Sequence, residues 1–82
     1  MSMTYYVVVP FVADESGDLV PLEPIEAQSS ESAKRRASAI AADKGGAIAF
    51  SRTGEPATGD FEDAVVLGRY GEVPTDLAGV LG

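Results

Sequence analysis

The chain has 82 residues, 45% of them hydrophobic and 23% charged, which bounds it to one ordered domain, residues 1–82, and sets it apart from the composition of disordered chains. Thirteen acidic residues against six basic ones give a formal net charge of −7, so the surface repels phosphate backbones, and neither nucleic acid nor an anionic membrane is an expected partner. Cysteine and histidine are both absent, which removes disulfides, thiolate metal sites, the commonest general base and the commonest transition-metal ligand together.

No basic residue precedes the first apolar run, and that run is too short for a signal peptide or a membrane span, so the cytoplasm is the expected location. The run itself, Tyr5-Tyr6-Val7-Val8-Val9-Pro10-Phe11-Val12, does not alternate as a strand with one wet face would. Both of its faces call for cover. Pro10 cannot donate to a ladder, so it belongs at a bulge or beyond the end of a neighbouring strand. The cluster Asp14-Glu15-Ser16-Gly17-Asp18 predicts a hairpin turn into a second strand over residues 19–25. Pro21 and Pro24 place that strand at a sheet edge.

From Ser30 to Lys44 the pattern becomes helical, with Ser29 or Ser30 as the cap and Gly45-Gly46 as the stop. Ala33, Ala37, Ile40 and Ala41 recur on one face, and their small volume predicts close contact between helix and sheet. Glu31 and Arg35 have the spacing of a favourable pair. Residues 47–50 and 64–70 predict a third and a fourth strand. The expected architecture is therefore α+β: ββαββ, a four-stranded, mostly antiparallel sheet in the order 2-1-3-4, with one helix packed on one face. A helix about 10 Å wide covers only part of a sheet almost twice as broad. The second face is expected to meet either the C-terminal tail, residues 73–82, or another copy of the chain.

Candidate functional residues fall into two groups. Tyr6, Val8, Val66, Tyr70, Leu77 and Leu81 are candidate interface residues, taken from the doubly apolar strands and the tail. Residues 52–63 form a long polar connection, and Arg52, Thr53, Asp60 and Glu62 are its candidate binding residues. Asp60, Glu62 and Asp63 offer oxygens to a hard cation, but their spacing matches no calcium loop. Asp14, Ser16 and Asp18 have a calcium-like spacing without the glycine and glutamate such a loop needs, so they read as turn formers. Lys34-Arg35-Arg36 is the only basic cluster, and a helix spreads its members around the axis instead of forming a stripe for phosphates. No glycine stands in a phosphate-loop context, and no nucleophile has a base at a supporting spacing.

The run Gly46-Ala47-Ile48-Ala49-Phe50-Ser51-Arg52-Thr53-Gly54-Glu55-Pro56, with Val66-Leu67-Gly68-Arg69-Tyr70-Gly71-Glu72-Val73-Pro74, resembles small uncharacterised proteins of bacterial genomes and prophage-like regions. The resemblance implies a bacterial origin and no activity. The expectation is a non-enzymatic interaction or structural module without a cofactor, a homodimer that associates through its sheet and whose long loop meets something else, with another protein as a further candidate partner. The alternative is a small-molecule or divalent-cation-binding protein, or an enzyme, using the carboxylates of residues 52–63.

Overall fold

A computed structural model describes residues 2–75 of the chain. The elements are β1 (Met3–Ala13), β2 (Leu19–Pro21), β3 (Ile25–Ala27), α1 (Ser30–Lys44), β4 (Gly46–Glu55), β5 (Asp60–Phe61) and β6 (Val65–Gly71). They form an α+β fold in which one helix packs on a curled antiparallel sheet. β1 and β4 pair along their length, from Met3 opposite Gly54 to Phe11 opposite Gly46. β2 and β3 share the outer side of β1, while β5 and β6 share the outer side of β4. This is the expected spatial order with the second and fourth positions each divided in two.

The division on the β1 side follows from proline. Residues 22–24 leave the ladder between β2 and β3, and Pro24 has no N–H to continue it. Pro10 lies inside β1, opposite Ala47, and its carbonyl accepts from the Leu22 N–H at 2.9 Å. In an antiparallel ladder the nitrogen and oxygen of one residue point to the same side. The donorless nitrogen of Pro10 therefore faces the break between β2 and β3, beyond the end of a neighbour.

The hairpin turn is held by Asp14, whose Oδ1 accepts from the N–H groups of Ser16 and Asp18, each at 2.9 Å. Asp14 thus spends its carboxylate on the turn, as an Asx motif does. Ser29 caps α1 by accepting from the Ser32 N–H at 3.1 Å, and Gly45 ends it at φ 117° with its N–H on the Ala41 carbonyl. Glu31 and Arg35 make no ion pair with each other, whereas Lys44 and Asp43 approach to 3.7 Å.

Side chains alternate along β1 and β4, so the sheet has two distinct faces. Val8, Ala47 and Ala49 lie against Ala33 and Ala37 of α1, with Tyr6, Ile25, Ile40, Leu67 and Tyr70 around them. On the reverse face, Val9, Phe11, Ile48 and Phe50 form a second cluster, joined by Val7, Leu19, Ala64, Val66 and Val73. Phe11 and Ile48 have no exposed surface. Of the two covers expected for this face, the C-terminal tail or another copy, the chain supplies the first in part: the central residues are buried within the one chain, and Val73, the first residue of the tail, packs against them. Periodicity shows that a face is apolar but not which distant segment curls over it.

Strand length sets the ends of the molecule. The eleven residues of β1 reach about 36 Å at about 3.3 Å each, whereas the fifteen of α1 reach only about 22 Å at 1.5 Å each. Ala27 pairs with Tyr6 just before the helix begins, and Gly46 pairs with Phe11 just after it ends. Residues 3–5 of β1, the end of β4 and all of β5 consequently project past α1, in a molecule 43 Å long and 18 Å at its narrowest. Among the described residues no helix is long and apolar enough to cross a membrane.

Candidate functional site

The projecting end is built from the segment expected to be a long loop. Residues 52–55 instead extend β4, residues 56–59 turn, and β5 returns with Gly54 opposite Phe61 and Glu55 opposite Asp60. The turn closes through Gly59, at φ 78°, whose N–H donates to the Glu55 carbonyl at 2.8 Å. The Ala57 N–H donates to Glu55 Oε1 at 3.2 Å and the Glu62 N–H to the Thr53 carbonyl at 2.8 Å. Backbone pairing of this kind is invisible in composition: a polar, varied segment reads as loop until a neighbouring strand is present to pair it.

The hairpin separates its side chains by face. On the face away from α1, Phe61 lies over Gly54, where a Cβ would meet the ring. Its centroid is 6.1 Å from that of Tyr5, and the Arg52 guanidinium carbon stands 5.9 Å from it, within cation–π reach. The Tyr5 hydroxyl approaches Met3 Sδ at 3.8 Å. On the side of α1, Thr53 and Thr4 share a hydroxyl hydrogen bond of 2.9 Å. Alternation puts Glu55, Asp60 and Glu62 on that side too, and Asp60 and Glu62 are exposed.

The candidate binding residues therefore occupy one hairpin but do not converge. Arg52 is on one face with Phe61, and Thr53 is on the other with the carboxylates. Among the described residues no three acidic side chains gather as metal ligands would, and no pocket opens. Sequence reasoning reads Tyr5 with Tyr6 and Tyr70 as core or interface aromatics and passes over Met3 and Phe61. Their signal was present as large apolar residues at the margins of a strand and a loop, but only the register with Gly54 joins them.

The candidate interface residues also divide. Val8 is fully buried beneath α1 and so cannot touch another molecule. Tyr6 and Tyr70 are half-buried on that same helix side, and the Tyr70 ring closes over Gly68. Val66 belongs to the opposite face, because the register of β6 on β4 slips between Ala49 and Phe50, whose partners are Gly68 and Val66, and leaves Leu67 as the extra residue of a bulge. A single shared surface made of these four is excluded. Leu77 and Leu81 lie outside the described residues. No protein family, curated protein or solved structure matches the chain.

Proposed function

We propose that this protein is a non-catalytic interaction module that meets a protein partner through its projecting end. The observation that carries this reading is a gradient along one face. The apolar stripe that is fully buried at Phe11 and Ile48 continues through Val7 and Tyr5 and emerges at Met3 and Phe61, which are 50% and 42% exposed. Apolar surface continuous with a core, left open at a protruding end and held by aromatic packing, suits a macromolecular contact better than a small ligand, which needs a concavity. Comparing proteins captured by the wild-type chain with those captured by Phe61→Ser tests it. Partners lost with Phe61→Ser support the module, whereas identical capture profiles overturn it.

Self-association remains a second reading with a different basis from the one the sequence suggests. β6 pairs only with β4 among the described residues, so its outer edge has backbone groups open to another strand. Its bulge and Arg69 both work against a flat edge-to-edge contact. Sedimentation velocity across a concentration series decides whether that edge is used.

A further inference from the structure

From the charge around the projecting end we infer the class of partner: a basic segment that carries an apolar side chain for the Met3–Tyr5–Phe61 surface. This inference rests on the interaction-module reading above. Residues 52–63 hold four carboxylates, Glu55, Asp60, Glu62 and Asp63, against the one guanidinium of Arg52. That guanidinium is half-buried beside Phe61, while Asp60, Glu62 and Asp63 are exposed. The hairpin is one layer thick, so the carboxylates on its reverse lie within about 10 Å of the apolar patch, comparable with the screening length of roughly 8–10 Å at ordinary salt. Their field reaches whatever sits on the patch.

A second copy of the chain is the poorer occupant. Bringing two such ends together would oppose two subunits that each carry a net charge of −7. An acidic or neutral partner gains only the apolar contact. A segment alternating lysine or arginine with leucine, valine or an aromatic residue gains both, because its apolar side chains enter the patch while its cations reach the hairpin rim.

The test uses the full chain and three short synthetic peptides: alternating lysine and leucine, alternating glutamate and leucine, and alternating lysine and serine. Binding is read by amide chemical shifts and fluorescence anisotropy. The lysine–leucine peptide should bind saturably, shift the amides of Met3, Tyr5 and Phe61, and weaken as salt rises. Phe61→Ser, which alters a residue already open to solvent, should cost roughly tenfold in affinity, as loss of a central apolar anchor does. Met3→Ser is the parallel variant, and circular dichroism confirms that both are folded.

Equal binding of the glutamate–leucine peptide would overturn the basic partner and leave the interaction module standing. Equal binding of the lysine–serine peptide, or no loss with either variant, would reduce the effect to general attraction by an acidic protein and overturn the inference. Failure of every peptide, together with identical capture profiles for wild type and Phe61→Ser, would overturn both readings.

Discussion

Ala37 lies between helix and sheet, with no exposed surface, packed in the cluster of Val8, Ala33, Ala47 and Ala49. Substituting glutamate there adds side-chain atoms to a contact made of methyl groups, an overpacking cost of about 1–3 kcal/mol. The carboxyl also has no partner in an apolar cluster, which adds roughly 1–3 kcal/mol. Burial raises its folded pKa well above an unfolded value of about 4.3, by up to about 3–5 units. At pH 7 the unfolded state is ionised while the folded state must stay protonated, which adds about 3.5–4 kcal/mol at 1.36 kcal/mol per unit. The sum, about 6–10 kcal/mol, matches the whole stability of about 4–12 kcal/mol expected for a domain of this length.

Ala37→Glu should therefore be unfolded at pH 7 by far-UV circular dichroism and urea titration. Ala39→Glu, an identical change at an exposed helix position, should fall within about 1 kcal/mol of wild type. The sign of the linkage gives a second check. A raised folded pKa means that the ionisation penalty disappears as pH falls towards the unfolded value, so the gap between the two variants should narrow by about 3 kcal/mol between pH 7 and pH 4. Equal stability of the two at pH 7, or a gap independent of pH, would refute the placement of Ala37 against the sheet.

Ile48→Ala should cost about 2–5 kcal/mol in urea denaturation, because Ile48 is fully buried on the face away from the helix; a cost below about 1 kcal/mol would mean that this face is open. Ser29→Ala should lose about 0.5–2 kcal/mol with the cap to the Ser32 N–H, while Ser30→Ala should lose less, a difference that thermal melts will show. Gly46→Ala should destabilise the junction of β4 and β6, because its Cβ would meet the Glu72 carbonyl; amide exchange should quicken across β6 before it does in β1. Phe61→Ser should cost only about 1 kcal/mol in urea denaturation, the worth of its ring contact with Tyr5, while removing partner contact, so a loss of about 3 kcal/mol or more would place Phe61 in the core instead.

The features legible in the chain were those governed by neighbours in sequence. Ser29 and Gly45 bound the helix because orphaned backbone groups at its ends need a hydroxyl acceptor and a left-handed residue within a few positions. Asp14 forms its turn with N–H groups two and four residues away, and Ala33 and Ala37 mark the buried stripe by helical spacing alone. The order of the strands followed from chain direction and short connections. Of the candidate site, the sequence marks Arg52, Thr53, Asp60 and Glu62 as one segment, though not as a hairpin.

Tertiary structure decided what depends on partners far along the chain. That Phe11 and Ile48 are sheltered without a second subunit, that Val8 is covered by the helix while Val66 is turned the other way by a bulge, and that Gly46 is small because the Glu72 backbone presses on it all require segments distant in the chain to meet. The same holds for Met3, Tyr5 and Phe61, which become one surface only because Gly54 stands between them in the ladder. Sequence patterns report the polarity of each face, since that is a property of alternate residues. What lies against the face is set by the register and curl of the sheet, which no local pattern encodes.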